Sequence, residues 1–94
     1  MDKEPIIESS GNVFADLGFS PEESALLAMR AELMNRLRKI INERGWTQQE
    51  ASKILGIGQS RVSDLVRGKW DKFSLDMLIT LVTRTGMHVE LAIV

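Results

Sequence analysis

Amide, hydroxyl and guanidinium side chains cluster between residues 47 and 72 of this 94-residue chain. Amides and guanidinium groups form paired hydrogen bonds with base edges, and basic groups bind phosphate oxygens. This mixture of side chains therefore suits contact with double-stranded DNA, provided that the fold presents them together. The candidate contact residues are Gln48, Gln59, Ser60, Arg61, Ser63, Asp64, Arg67, Lys69 and Lys72.

Two short helices are predicted to position these side chains. Thr47 can cap the first helix, and Glu50 completes a capping box. Gly56 suits the left-handed conformation that ends a helix, and a second helix then runs over about residues 59–67, before Gly68. Two short helices joined by a short glycine-containing turn form a helix-turn-helix. The apolar residues at helical spacing are Ala51, Ile54, Leu55, Val62, Leu65 and Val66.

Catalytic and metal chemistry have little support in the sequence. His88 is the only histidine, there is no cysteine, and no serine or carboxylate pattern places His88 in a catalytic triad. No cluster has metal-ligand spacing, and Gly56 and Gly58 serve the turn rather than a phosphate-binding loop. We expect a protein that is not an enzyme and that uses neither a metal nor a cofactor.

Charge is distributed unevenly, although the net charge is only −1. Residues 1–26 contain six acids and one lysine, whereas residues 27–94 contain eleven Lys and Arg against seven acids. The predicted helix-turn-helix lies in the basic part, which favours DNA, and the acidic leader suits either solubility or a basic partner. The length fits one domain, and without a signal peptide or an apolar span we expect a cytoplasmic protein with no membrane partner.

Residues 1–20 are predicted to form a partly flexible segment. The turn-forming run at 9–12 follows residues with little apolar surface to bury, so order there would depend on a partner. A short apolar cluster comes next, and it either folds back onto the first long helix or docks onto a partner protein. Its members are Val13, Phe14, Leu17 and Phe19.

A long helix is predicted from Pro21 to about Arg44. Ser20 caps it, Glu23 completes a capping box, and Gly45 ends it. Its length exceeds what a helix-turn-helix needs, so its first turns are expected to protrude as a contact surface. The core-facing stripe is assigned to Leu26, Met29 or Leu33, Leu37, Ile40 and Ile41, with Leu27 and Met34 outside it. Most of the basic residues Arg36, Arg38, Lys39 and Arg44 are expected to face solvent.

The segment after the second short helix contains Trp70, which could fill a gap in the core or lie against a sugar-phosphate backbone. The sequence favours the core. Ser74 is predicted to cap a further helix that ends near Thr85, and Phe73 and Leu78 are spaced as a hydrophobic staple.

The closing residues 87–94 have an alternating pattern, which predicts a β-strand with Val89, Leu91 and Ile93 on one face. A lone strand leaves its backbone polar groups unpaired. The simplest partner is the same segment of a second copy, antiparallel across a two-fold axis. The alternatives are a sheet edge of a partner protein and an N-terminal strand near residues 5–9.

The run TQQEASKILGIGQSRVSDLVRG resembles the helix-turn-helix of lambda-type phage repressors and of the broader xenobiotic-response-element (XRE) regulators. The resemblance includes Gln48 and the run GQS at residues 58–60. It implies that Gln59 and Ser60 touch base edges, and that Gln48 braces this contact and meets a phosphate.

Two residues distinguish this reading surface from the lambda pattern. Arg61 stands where lambda repressor has a small residue, and it could grip guanine or the DNA backbone. Asp64 occupies another reading position of the family, where a carboxylate could accept from cytosine or orient Arg61. The expected phosphate contacts are Arg67, Lys69 and Lys72.

Nearly the whole chain resembles small XRE-family antitoxins of HigA-like type II toxin–antitoxin pairs. The resemblance runs through SGNVFADLGFSPEE, RAELMNRLRKIINERG, GKWDKFSLDMLITLV and the closing strand. It implies a cognate toxin of the RelE/HigB kind, which the acidic leader would bind, and repression of the protein's own operon. A stand-alone XRE-family repressor without a toxin partner is the alternative.

These patterns together predict a mainly α fold. It is a lambda-repressor-like helix-turn-helix domain of four to five helices, with a C-terminal β-strand that pairs across a homodimer. Residues 1–20 would bind the partner, 21–86 would form the DNA-binding domain, and 87–94 would form the dimerisation strand. Such a dimer would bind a palindromic operator with half-sites roughly 34 Å apart.

Overall fold

Five α-helices and one 3-10 turn make up the regular secondary structure of residues 13–94, the part of the chain that this computed structural model describes. The mainly helical fold is therefore confirmed. The helices are α1 (Val13–Asp16), α2 (Pro21–Glu43), α3 (Gln48–Leu55), α4 (Gln59–Val66) and α5 (Leu75–Arg84), and the 3-10 turn is Trp70–Lys72.

Side-chain caps fix the amino ends of α2 and α3 where the sequence predicted them. The Glu23 amide donates to Ser20 Oγ over 3.2 Å, and Glu23 Oε1 accepts from the Ser20 amide over 3.3 Å. Thr47 and Glu50 form the same reciprocal pair, at 3.0 and 2.8 Å. Each N-cap of this kind stabilises a helix by about 1 kcal/mol, because amides at the helix start otherwise lack partners.

A single apolar core lies between α2, α3, α4 and α5. Phe73 and Leu78, the predicted staple around the Ser74 cap, are fully buried in it. The buried apolar residues are Met34, Leu37, Ile41, Ala51, Leu55, Val62, Leu65, Phe73, Leu78, Leu81 and Val82. Burial of these side chains is the main stabilising contribution, at roughly 25 cal/mol for each Å² of apolar surface removed from water.

The predicted stripe of α2 was wrong at Leu26 and Met34, and of the alternatives Met29 and Leu33 it is Leu33 that packs against the core. Met34 is only 1% exposed, whereas Leu26 and Met29 are 45% and 49% exposed. The stripe that faces the core is Met34, Leu37 and Ile41, with Leu33 packed against it. The earlier turns of α2 contact α1 and bury Ser24, and they leave Leu26 and Met29 exposed, so their expected role as a protruding contact surface stays a prediction.

Arginine side chains donate hydrogen bonds to several backbone carbonyls in loops and at helix ends. These contacts were not predicted from the sequence. Arg84 Nη1 donates to the Leu55 carbonyl at the end of α3, and Arg44 Nη1 donates to the Thr85 carbonyl at the end of α5, both over 2.7 Å. Arg44 is exposed, and its guanidinium also lies 5.3 Å from the centre of the Trp46 ring. Helix ends leave carbonyls without helical partners, and these arginines supply donors for them.

The closing segment, residues 87–94, has no regular secondary structure, and no strand occurs within residues 13–94. Leu91 and Ile93 are 82% and 91% exposed. The predicted pairing would require a second copy, a partner protein or residues 5–9, and the last of these lie outside the described range. The dimerisation strand stays a prediction. None of the helices of residues 13–94 is long and apolar enough to cross a membrane.

Gly56 generates a stability prediction, because it has φ +71° and a Cβ added there would lie 3.0 Å from Arg84 Nη1. We expect Gly56→Ala to lower the free energy of unfolding by about 1–2 kcal/mol, from left-handed strain and displacement of Arg84. Urea unfolding followed by circular dichroism measures this loss.

Gly58→Ser is the matched control, since Gly58 is the extended N-cap of α4 and a Cβ there meets nothing within 4 Å. Serine is a favoured N-cap residue, so this variant should be neutral or slightly stabilised. Equal losses in the two glycine variants would contradict the strain argument.

Candidate nucleic-acid interface

The helix-turn-helix consists of α3, α4 and the turn between them. Gly56 ends α3 with φ 71° and ψ 31°, and Gly58 begins α4 in an extended conformation. Ser52 Oγ donates to the Ile57 carbonyl within this turn. Below the turn, the two helices pack through Ala51 and Leu55 on α3 and through Val62 and Leu65 on α4, all fully buried.

Three of the predicted DNA-contact residues stand at the amino ends of these helices. Gln48 is the first residue of α3, and Gln59 and Ser60 are the first two of α4; all three are exposed. Helix amino ends carry partial positive charge and unpaired amides, which attract phosphate. The structure therefore presents two amides and a hydroxyl to solvent, beside two ends that favour an anionic ligand.

Asp64 lies further along α4, where its carboxylate pairs with a lysine. Lys69 Nζ is 3.9 Å from Asp64 Oδ1, and the Lys69 amide donates to the Asp64 carbonyl over 3.0 Å. The sequence had suggested that Asp64 either accepts from cytosine or orients Arg61. Within the described part of the chain its carboxylate pairs with Lys69, and both suggested roles stay predictions. Ser63, which precedes it, is half-buried.

Arg61 is folded back onto the connection between α4 and α5. Its guanidinium carbon lies 4.7 Å from the centre of the Phe73 ring, and Nη2 donates to the Lys72 carbonyl over 3.3 Å. Nε is buried and has no hydrogen-bond partner within the described residues. The predicted contact of Arg61 with DNA stays a prediction, and the structure adds that its guanidinium packs on the Phe73 ring and bonds to the Lys72 carbonyl.

Exposed basic side chains surround the carboxyl end of α4. Arg67, Lys69 and Lys72, the predicted phosphate contacts, are all exposed there. Arg38 joins them from α2, because its Nη1 atom lies 3.2 Å from where a Cβ on Gly68 would stand.

An open groove of about 630 Å³ continues from this basic cluster along α2. It lies beside Trp46, which precedes the Thr47 cap, and beside Val66. Sequence reasoning missed this groove, because the facing of α2 towards α4 depends on the tertiary packing. Its polar and basic lining residues are Asn35, Arg38, Lys39 and Asn42.

Trp70 packs against the protein, which confirms the sequence-based preference for the core. It is half-buried, and its ring meets the Phe14 ring edge-on, with 5.5 Å between centres. Arg30 belongs to α2, and its guanidinium lies 5.4 Å from the centre of the indole ring. Through these contacts Trp70 packs against the rest of the domain.

The apolar cluster near the N-terminus is divided between the fold and the surface. Phe14 is half-buried and also contacts Phe19 edge-on, at 6.2 Å between ring centres. Val13, Leu17 and Phe19 are exposed. Folding back onto the domain therefore accounts for Phe14, whereas the other three side chains leave apolar surface accessible to a partner.

His88, the sole histidine, is exposed and lies 3.3 Å from Glu90 Oε2. Within residues 13–94 no group of histidine, aspartate and glutamate side chains could hold a metal ion. The groups brought together on the described surface are thus the hydrogen-bonding and basic side chains around α3 and α4.

Comparison with known proteins agrees with this geometry. A family model described as a helix-turn-helix domain matches residues 13–94, which is most of the chain. A comparison with curated proteins found no match. The matched range includes the turn at Gly56 and the exposed amino ends of α3 and α4. The chain therefore belongs to the helix-turn-helix domain family, and this membership supports a DNA-binding regulator.

Proposed function

We propose that the protein is a sequence-specific transcriptional regulator, and that it serves as the antitoxin of a type II toxin–antitoxin pair. It would bind a palindromic operator as a homodimer, repress its own operon and neutralise a RelE/HigB-like toxin. The observation that carries the DNA-binding part is the set of exposed polar side chains on the helix-turn-helix. A stand-alone repressor of the XRE family is the second candidate, and it shares this part.

Reading of the operator would begin at the amino end of α4. This end would enter the major groove, where all four base pairs present different hydrogen-bonding patterns. Gln59 and Ser60 would contact base edges, and Gln48 would brace Gln59 and meet a phosphate. Their exposed positions at adjacent helix starts support these roles.

Arg61 and Asp64 would adjust the choice of operator. Arg61 would contact guanine or the backbone from its position on Phe73. Asp64 would act with Lys69, since their ion pair reduces the repulsion that a lone carboxylate exerts on phosphate. Ser63 would add a hydroxyl contact on the same helix.

Phosphate binding would fix the protein on the duplex. Arg67, Lys69 and Lys72 would bind the backbone near the carboxyl end of α4, and Arg38 would bind it from the groove on α2. Contacts of this type supply sequence-independent affinity that falls as salt rises, because they release condensed cations from DNA. The positive balance of residues 27–94 supports this division of roles.

The C-terminal segment would join two copies of the protein. Val89, Leu91 and Ile93 are exposed apolar side chains in an unpaired segment, which suits strand pairing across a two-fold axis. The resulting dimer would present two α4 helices to two half-sites, and this spacing would define the operator length.

The antitoxin role is supported by the sequence resemblance, the acidic leader and the exposed side chains of Val13, Leu17 and Phe19. An acidic, partly apolar segment would complement a basic toxin. We further propose that the protein works in the cytoplasm, has no catalytic activity of its own and needs no cofactor or metal.

Base reading by Gln59 is tested by the variant Gln59→Ala. We expect it to weaken binding to the cognate operator by on the order of 1–3 kcal/mol and to leave binding to unrelated DNA almost unchanged. Fluorescence anisotropy with both duplexes measures the two affinities. The cognate site comes from selection out of a randomised DNA pool.

Arg38→Ala is the control for that experiment, since a phosphate contact should affect all sequences alike. Its affinity should fall on both duplexes, and the slope of log affinity against log salt should decrease by about 1. If Gln59→Ala lost equal affinity on both duplexes, base reading by Gln59 would be rejected.

Dimerisation through the C-terminal segment predicts that removal of residues 87–94 yields a monomer. The reason is that the removed residues contain the backbone groups and apolar side chains that would pair. Analytical ultracentrifugation measures the mass, with Gln59→Ala as a control that should stay dimeric. An intact dimer after truncation would exclude the strand model.

The antitoxin role predicts that deletion of residues 1–20 abolishes co-purification with the product of the adjacent gene. The deleted segment holds the acidic and apolar groups assigned to the partner. Gln59→Ala should retain the partner, because α4 has no part in this contact. Unchanged co-purification of the deletion variant would favour the stand-alone repressor.

A further inference from the structure

The 3-10 turn Trp70–Lys72 and the adjoining Phe73 are contacted by two parts of the protein with different proposed roles. From the N-terminal segment, the Phe14 ring meets the Trp70 ring edge-on at 5.5 Å. From α4, the Arg61 guanidinium lies 4.7 Å from the Phe73 ring centre and donates to the Lys72 carbonyl. One short element therefore touches both the proposed partner-binding segment and the proposed reading helix.

Arg30 connects the two sides of this turn. Its Nε donates to the Phe73 carbonyl over 3.0 Å, and its Nη2 donates to the Trp70 carbonyl over 3.3 Å. The same guanidinium lies 5.4 Å from the centre of the Trp70 ring. The indole is thus contacted by Phe14 and by Arg30, and Arg30 also holds the carbonyl next to the ring that supports Arg61.

The position of Arg61 depends on this turn. Its guanidinium rests on Phe73 and makes one hydrogen bond, to the Lys72 carbonyl, while Nε has no partner within the described residues. If the turn shifts, both supports shift together. Arg61 directly follows Gln59 and Ser60, so a change in its freedom acts in the first turn of the reading helix.

We propose that Phe14 is a positioning residue for Arg61. Seated on Trp70, Phe14 holds the turn that supports Arg61, and the guanidinium is thereby pre-ordered for DNA. A protein partner that grips α1 and draws Phe14 away from Trp70 lowers DNA affinity through Arg61. The direction follows because a side chain that is already ordered loses less conformational entropy on binding. This inference rests on the proposed function and specifies how the partner and the operator influence each other.

A double-mutant cycle tests the coupling, because a shared pathway between two residues requires evidence of non-additivity. The variants are Phe14→Ala, Arg61→Ala and the double variant, with binding to the cognate duplex measured by fluorescence anisotropy. Phe14→Ala should weaken binding about three- to tenfold, and the double variant should bind no more weakly than Arg61→Ala alone. Losses that multiply in the double variant, or no loss from Phe14→Ala, would overturn the proposal.

Leu17→Ala is the matched control, because Leu17 directly follows α1 but is 73% exposed and outside the aromatic contacts described above. It should change affinity less than twofold. Phe14→Leu keeps most of the apolar volume and protects the measurement against loss of folding in Phe14→Ala. Because it lacks the ring that meets Trp70, Phe14→Leu should still weaken binding. A normal affinity in Phe14→Leu, or an equal loss in Leu17→Ala, would overturn the proposal.

A measurement without DNA separates this proposal from the function on which it rests. The Arg61 Nε–H signal in the ¹⁵N spectrum, assigned by its disappearance in Arg61→Lys, reports its distance from the Phe73 ring. Phe14→Leu should move this signal towards the value of a freely moving arginine, and Leu17→Ala should leave it in place. An unmoved signal overturns the coupling, whereas failure of the wild-type protein to bind any DNA overturns the proposed function alone.

Discussion

The left-handed turn at Gly56, together with the apolar packing beneath it, is the constraint on which the rest of the structure depends. The turn reverses the chain within a few residues, so that the starts of α3 and α4 are both exposed while Leu55 and Val62 are buried. A side chain at residue 56 would compete with Arg84 for space. The same position therefore sets the geometry of the helix pair and leaves room for Arg84, which donates to the Leu55 carbonyl.

Arginine residues have two roles in this domain. Arg30, Arg44 and Arg84 donate to carbonyls at loops and helix ends, and so stabilise the framework. Arg67 and Arg38 remain on the surface around α4, where a polyanion can reach them. Arg61 belongs to both groups, because its guanidinium packs on Phe73 and the residue lies in α4, the proposed reading helix. A count of basic residues alone does not separate these roles.

Local features of the fold were predictable from the sequence. The capping boxes at Ser20 and Thr47 involve residues three apart, so the chain itself brings the partners together. The facing of α2 was predictable only in part: spacing placed Leu37 and Ile41 in the core correctly, whereas the burial of Met34 and the exposure of Leu26 follow from tertiary packing. The donation from Arg84 to Leu55 spans 29 residues and follows no local rule. The reading residues were found through their types and positions, whereas the groove beside Arg38 required the packed structure.

A direct test of the central claim is an amide chemical-shift titration of the ¹⁵N-labelled full-length protein with its selected operator duplex. We predict that the largest changes occur at the amino ends of α3 and α4, at Gln48, Gln59 and Ser60, with smaller changes around Gly68. The amide shifts of α5 should change little except near Arg84, because α5 packs against the helix pair through the buried core. Changes concentrated on α5 or at residues 87–94, with α4 unaffected, would contradict a helix-turn-helix that reads DNA through α4.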